Sequence, residues 1–488
     1  MFNKNKKFYI TTSIPYTNAP PHAGFALEII QADVLARYRA QQGCDVFFLT
    51  GTDEHGQKTL KAAEAAGKEP LEFANEISGK FKELTEILNI SNNDFIRTTD
   101  KERHLPAVYK LWQKMEEVGD IYKKKYKGHY CIGCEAFKTQ KELVDGKCIV
   151  HQKETESVEE ENYFFKLSKY LSEIKKIIEK DKIKIIPESK KNEVLSMIRQ
   201  GLEDVSFSRA KEKYWGWSVP NDDSQNIYVW SEALSNYISA IGYKKETSQF
   251  KKFWPADIHC IGKDIVKFHC IFWPAMLLSV GLELPKSIFI HGFITVDGQK
   301  MSKSLGNVID PFELVKKYGT DAVRYYLLRE ILPTEDGDFT YEKFEQRYNS
   351  DLAGGIGNLV ARVLTMANKL TKNQKRTSSS YARAKTKNAN QKLKKEIEKI
   401  KKGYKKHLEN FKFNEALKVI WELVSWCDKY INKERPWEGK KNARQVVSDS
   451  LFALKNIADL LSPFLPETSE KIKKAVKSEQ QTALFPRI

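Results

Sequence analysis

No apolar run in the 488 residues is long enough to cross a bilayer. The basic start Met1-Phe2-Asn3-Lys4-Asn5-Lys6-Lys7 is not followed by the apolar core of a signal peptide. A cytoplasmic protein with no membrane partner is therefore expected. Cysteine is sparse, at seven. Cys44, Cys260, Cys270 and Cys427 lie scattered in apolar surroundings, so a disulfide framework is not expected. Acid is the minority charge: 64 Asp and Glu against 81 Lys and Arg, a formal +17. An excess of that size favours a polyanionic partner and salt-sensitive binding. A lysine-rich composition alone would give the same figure, so charge supports a nucleic-acid reading without carrying it. The length predicts about two to four domains with ample buried cores.

The remaining cysteines are not scattered. Cys131-Ile132-Gly133-Cys134 is followed by Cys148-Ile149-Val150-His151, two knuckles with two residues between each pair of ligands. That spacing lets thiolates and an imidazole converge tetrahedrally on one zinc, and four such ligands leave no open position, as in a structural site. Two disulfides or inert core cysteines are the other readings of the same residues.

Phe8-Tyr9-Ile10-Thr11-Thr12-Ser13-Ile14 is β-branched and aromatic and predicts a buried strand. The turn-rich Pro15–Gly24 segment comes next, and then a helix with Leu27, Ile30, Val34 and Tyr38 on one face. Strand, tight loop and helix form the opening unit of a nucleotide-binding sheet. The helix N-terminus offers unpaired N–H groups to a phosphate, Gly24 leaves room for a ligand, and His22 is a donor aimed at the same place. Far downstream, Lys300-Met301-Ser302-Lys303-Ser304 is introduced by Asp297-Gly298-Gln299. Lysines supply point positive charge and serine hydroxyls donate to phosphate oxygens. Asp257–Gly262 and Ser287–His291 read as further buried strands. Ligands in open α/β sheets lie beyond the carboxyl ends of such strands.

The Lys300–Ser304 string is identical to the lysine-rich signature loop of class I aminoacyl-tRNA synthetases, and the first loop resembles their His-Ile-Gly-His signature. His22 and Gly24 match, Ala23 is an apolar change, and Phe25 stands where a second histidine belongs. Phe25 has no donor to offer. Ser13–Tyr16, Thr50–Gly56 and Ile227–Tyr237 look like methionyl-tRNA synthetase. The resemblance implies that the Ile14 backbone and the Asp53 carboxylate hold the α-ammonium of methionine. It implies that Tyr16, Trp230, Ala233, Tyr237 and His291 enclose the thioether. Gly24, Gly262, Asp264, Ser302, Lys300, Lys303 and His22 would bind ATP, the last three as the catalytic charges. For Asp264, a helix-capping role is an equal alternative. ATP would bring Mg2+, and many methionyl enzymes carry a zinc knuckle like that of Cys131, Cys134, Cys148 and His151.

The fold expected is α/β: a Rossmann-like, doubly wound parallel sheet with an inserted zinc-binding connective domain, followed by an all-α bundle. Residues 1–115 and 216–325 would form the two halves of the catalytic domain around an insertion at 116–215. A linker at 326–345 would lead to an anticodon-binding bundle at 346–488. Ala416, Val419, Ile420, Leu423, Val424 and Cys427 form one helical stripe; Leu451, Leu454, Ile457, Ala458 and Leu461 form another. Within the bundle, Asn358, Arg362, Pro436 and Trp437 match the segments that read the anticodon of tRNA(Met), with Trp437 as a platform for an unstacked base. A core anchor at a helix end is the other reading of Trp437. The resemblance runs from Ile10 to about Ile472, without the dimerising C-terminal domain of many relatives, which implies a monomer. A sister enzyme for another apolar amino acid, or a tRNA-binding paralogue without activation, are the rival readings.

Overall fold

The computed structural model describes residues 6–133, 136–138, 142–150, 152–301, 306–372, 390–478 and 483–488. Two compact units emerge. The first comprises residues 1–21, 39–86 and 90–291, and the second residues 22–38, 87–89 and 292–488.

The first unit is built on a six-stranded, all-parallel sheet. Its strands run β3 (Asp94–Arg97), β2 (Asp45–Thr52), β1 (Lys7–Thr12), then Ile258–Gly262, Ser287–His291 and Lys184–Ile186. β1 is buried along nearly its whole length, as expected of a strand covered on both faces. It pairs β2 on one side and Ile258–Gly262 on the other, so the chain reverses its direction of winding at β1. The crevice at that switch point is where such sheets bind ligands. Ser13, just past β1, donates its N–H to the Cys260 carbonyl at 2.9 Å and closes the crevice floor.

Within the insertion, strand Ile121–Cys131 pairs antiparallel with Glu156–Phe165. Lys125 stands opposite Glu161 and Lys127 opposite Glu159. Opposite charges directly across a ladder help set its register. This long hairpin brings Phe164 and Phe165 back into the core.

His104 and Ser239 bind inside the first unit, the imidazole Nδ1 lying 3.0 Å from the hydroxyl. Burial holds the His104 pKa down to about 3, aided by the nearby His55 and Arg103. His259 is also buried and is pushed well below its usual value for the same reason. Both are neutral in the folded chain and charge on unfolding. The unfolded state then binds more protons between about pH 6.5 and pH 3, so stability present above 6.5 is lost as pH falls through that window. Urea unfolding at about pH 4.5 and pH 7 should show this loss, and a smaller one in His104→Gln, which can still meet Ser239. An equal pH dependence in both proteins would remove His104 as its source.

The second unit is largely helical. Helices Asn358–Lys372, Gln391–Glu409, Phe413–Glu434, Ala443–Leu461 and Pro466–Ser478 pack through apolar stripes. The two expected stripes fall in Phe413–Glu434 and Ala443–Leu461, and the second helix ends at Leu461, before Ser462-Pro463. A small sheet of Gln299–Lys300, Ile294–Val296 and Gly337–Phe339 leads into the lysine-rich loop. The same unit contains helix α1 (Ala23–Gln41) over most of its length, buried on almost every side, with Glu28, Gln31 and Asp33 among its buried residues. A helix enclosed this way needs partners for each buried polar group.

Candidate functional site

In the first unit, the segment after β1 and the segment after β2 are tied together. Asp53 donates its N–H to the Pro15 carbonyl at 2.9 Å, and Thr17 donates to the Asp53 carbonyl at 3.0 Å. Tyr16 is thereby fixed against Asp53, whose residue is 2% exposed. Ile14 and Tyr16 are half-buried against the core. The Tyr16 ring meets Trp230 edge-on at 6.2 Å, and Lys58 lies over its face at 4.4 Å.

Trp230 and Ala233 lie in the short helix Val229–Ala233, and Tyr237 in the next turn, Asn236–Ser239. Trp230 stacks on Phe268 at 3.8 Å with the planes 2° apart. Tyr237 is buried, with His259 at 4.3 Å between ring centroids and His269 Nε2 2.7 Å from its hydroxyl. His269 Nδ1 lies 3.1 Å from the Ile265 carbonyl. A carbonyl only accepts, so Nδ1 carries the proton and Nε2 accepts from the Tyr237 hydroxyl. Tyr9 completes the wall by donating its own hydroxyl to the Tyr237 carbonyl at 2.6 Å. Tyr16, Trp230, Phe268, Tyr237 and His269 thus make a connected aromatic wall.

Phe268 and His269 were not among the residues expected from sequence. They lie in Phe268–Phe272, a π-helical segment in which the ordinary helical spacing fails. Such segments often mark functional positions. His291 lies at the end of the strand Ser287–His291. It pairs with Gly262 across adjacent parallel strands, and a Cβ on Gly262 would lie 3.0 Å from Asp264 Oδ1 and 3.7 Å from His291 Nε2. Gly262, Asp264 and His291 therefore converge at the carboxyl ends of the two strands.

The second unit contains the phosphate-type elements. Gly24 donates its N–H to His22 Nδ1 at 3.0 Å, which leaves the proton of a neutral imidazole on Nε2. A Cβ at position 24 would meet His22 Cε1 at 2.7 Å and Nδ1 at 2.9 Å, so the folded-back ring requires glycine there. The Met301 methyl lies 3.6 Å from that same point, and Ala23 donates its N–H to the Ile309 carbonyl at 3.0 Å. Ile309, downstream of the lysine-rich loop, is thus tied to the start of α1. Phe25 is buried in the first turn, its place taken up by apolar packing. Ser302 and Lys303 lie outside the described residues; Lys300 ends the strand Gln299–Lys300.

Farther along this unit, Arg362 donates to Asp428 at 2.9 Å and to Asn432 at 2.7 Å, joining two helices. Asn358 is exposed one turn before it. Arg435 adopts a left-handed conformation, Pro436 is buried, and Trp437 is 55% exposed. At that exposure the indole is not a core anchor.

For the knuckles, Cys131 ends its strand and Cys148 closes the small hairpin of Leu143–Val144 and Lys147–Cys148; both are buried. The Cys148 turn is tight, with Gln152 donating to the Cys148 carbonyl at 2.7 Å. Cys134 and His151 lie outside the described residues. Among the described residues no cluster of three or more His, Cys, Asp or Glu could hold a metal. Two buried thiols in an otherwise polar insertion fit half of a zinc site.

The family model of class I tRNA synthetases (M) matches residues 8–148 and 133–364, and that of the anticodon-binding domain of tRNA ligases matches residues 390–486. The chain belongs to the methionyl-tRNA synthetases of class I. The methionine–tRNA ligase of Thermotoga maritima is 46% identical over 97% of this chain and 76% of its own length. That of a Nostoc strain is 42% identical over 100% of this chain and 94% of its own. A solved structure of Mycobacterium tuberculosis methionyl-tRNA synthetase in complex with methionyl-adenylate matches with a TM-score of 0.89 at 37% identity. It covers 96% of this chain and 93% of that one. Among the described residues, no helix of this synthetase is long and apolar enough to cross a membrane.

Proposed function

We propose that this methionyl-tRNA synthetase activates L-methionine with ATP and transfers it to tRNA(Met), supplying initiation and elongation of translation in the cytoplasm as a monomer. The observation that carries this reading is the buried Asp53, bridged to Tyr16 beside a wall of Trp230, Tyr237 and His269. A carboxylate next to an aromatic box suits an amino acid with a thioether: the charge takes the α-ammonium, and sulfur gains contacts with rings of about 0.3–1.5 kcal/mol each. Ile14 adds its backbone to the ammonium end, and Ala233 leaves room for the terminal methyl. His291 helps enclose the thioether, and the neighbouring Gly262 and Asp264 hold the adenosine.

The methionine carboxylate attacks the α-phosphate of ATP, and the bond to the β-phosphate breaks to release pyrophosphate. The terminal ribose hydroxyl of the tRNA then attacks the adenylate carbonyl, AMP leaves, and the hydroxyl proton passes to solvent. No side chain acts as nucleophile; the protein positions and neutralises. His22 donates through Nε2 to the α-phosphate while Gly24 leaves space, and Lys300, Ser302 and Lys303 take the charge of the leaving pyrophosphate. Magnesium bound with ATP supplies further charge neutralisation. Asn358, Arg362, Pro436 and Trp437 read the anticodon.

ATP–pyrophosphate exchange with methionine, leucine, isoleucine, valine and cysteine tests this reading. Exchange with methionine alone is expected. Exchange with another of them would make the chain a sister enzyme, and none at all from folded protein would leave a tRNA-binding paralogue.

We further propose a structural zinc held by Cys131, Cys134, Cys148 and His151. Elemental analysis should find about one zinc per chain, and Cys148→Ser should lose it and loosen the insertion to proteases. A metal-free protein with an equally resistant insertion would refute the site.

A further inference from the structure

Three consecutive residues after β2 are each fastened to a different part of the first unit. Asp53 is bridged through its backbone to the Pro15–Thr17 turn. Glu54, fully buried, is saturated: Arg97 donates to its two oxygens at 2.6 and 2.9 Å, Thr52 donates at 2.8 Å, and Thr99 donates as well. Its own N–H goes to Thr98 Oγ1 at 2.8 Å. His55 turns the other way. Its Nδ1 lies 2.7 Å from Glu232 Oε1, and both side chains are buried, at 3% and 0% exposure. The imidazole is gripped edge-on by Trp215 at 4.8 Å and Trp217 at 5.1 Å. Gly56 then donates to the Trp215 carbonyl at 2.9 Å.

Glu232 lies on the same short helix as Trp230 and Ala233. Its Oε2 is buried without a hydrogen-bond partner among the described residues, so His55 is what this carboxylate has in exchange for its lost hydration. Burial raises the Glu232 pKa against the pull of His55. A pair this costly adds little to stability, since well-packed apolar residues often do as well. What apolar residues would not supply is a directional link of fixed length.

We propose that the His55–Glu232 pair is a positioning device that fixes the Asp53 segment to the Trp230–Ala233 helix, setting the separation between the ammonium site and the thioether box at the length of one methionine. The inference rests on the methionine-activating reading. His55 and Glu232 act through their neighbours: the pair sets where Asp53 and Trp230 stand. A side chain longer by one methylene, as in ethionine, is rejected because the box cannot recede from Asp53.

The test is pyrophosphate exchange by the full chain with methionine and with ethionine. Glu232→Leu should raise KM for methionine by about tenfold or more, with kcat and KM for ATP within about threefold. The preference for methionine over ethionine should shrink, which a merely destabilised but folded enzyme would not show. Glu232→Gln, whose amide oxygen still accepts from Nδ1, should stay within about threefold of the parent in every constant. His55→Phe fills the slot between the two tryptophans without the hydrogen bond, and should repeat the Glu232→Leu result even if that variant does not fold. A methionine KM within about twofold of the parent in a folded variant lacking the pair, or an unchanged ethionine preference, overturns the proposal. An unaltered chain that fails to exchange with methionine would overturn the functional reading itself, and this inference with it.

Discussion

Arg324→Met should lower the stability of the second unit by about 3–5 kcal/mol, the cost of removing one partner of a fully buried ion pair. The guanidinium is 0% exposed and so is its partner Asp33, at 2.7 Å. The same group donates to the carbonyls of Leu88 at 3.0 Å, Phe464 at 2.8 Å and Pro463 at 3.0 Å. One planar fork thus satisfies a carboxylate in α1 and three backbone acceptors from two other segments. Methionine fills a similar volume and satisfies none of them. Asp33 would still accept from Arg37 Nε at 2.8 Å, but that side chain is partly exposed and does not replace the buried guanidinium. A chain of this size does not unfold in one step. The loss is therefore read as an earlier guanidinium midpoint in far-UV circular dichroism and as faster proteolysis of the helical segments. Adding Asp33→Leu should recover part of it, because the stranded charge is then gone. An Arg324→Met protein with the parental midpoint would show that water reaches Asp33 and that the pair contributes nothing.

Arg324 and Asp33 also show why the sequence discloses some of this molecule and not the rest. The two are 291 residues apart, and nothing local in Asp321–Leu327 or Gln31–Leu35 marks either as a partner. Three strands of the parallel sheet, Lys7–Thr12, Ile258–Gly262 and Ser287–His291, were legible as short β-branched or aromatic runs; the short edge strands Asp94–Arg97 and Lys184–Ile186 were not. The bundle was legible because its apolar stripes keep the helical period over several turns. The first loop was legible as a turn-rich segment running into a helix; the Cβ that Gly24 lacks would meet the His22 ring, a close approach the residue types alone did not disclose. His269 was not legible, because the π-helical segment that turns it toward Tyr237 has no signature in residue type or spacing. The His55–Glu232 link was hidden for the same reason as Arg324, with 177 residues between the partners. Local chemistry is written along the chain, whereas the pairing of buried charges is a property of the finished fold.

Asp53→Asn is the change expected to cost most in catalysis. Asparagine is nearly isosteric and keeps the two backbone bonds to Pro15 and Thr17, so the fold around Tyr16 should persist. Only the charge is lost. The methionine ammonium would then enter a buried position, 2% exposed in the free protein, with no counter-charge at its assigned partner. Truncating one side of a buried charge pair costs about 2–5 kcal/mol, or roughly 30- to 5,000-fold in kcat/KM for methionine. KM for ATP should hardly move, since Gly262, Asp264 and the His22 loop are untouched. The split is informative: a loss confined to methionine places the ammonium at Asp53, and an equal loss for both substrates would make the residue a structural cap. Methioninol, which keeps the ammonium but lacks the carboxylate, separates the two further. Its inhibition of exchange should weaken by a similar factor in Asp53→Asn, because the contact in question exists before any bond to phosphorus begins to form.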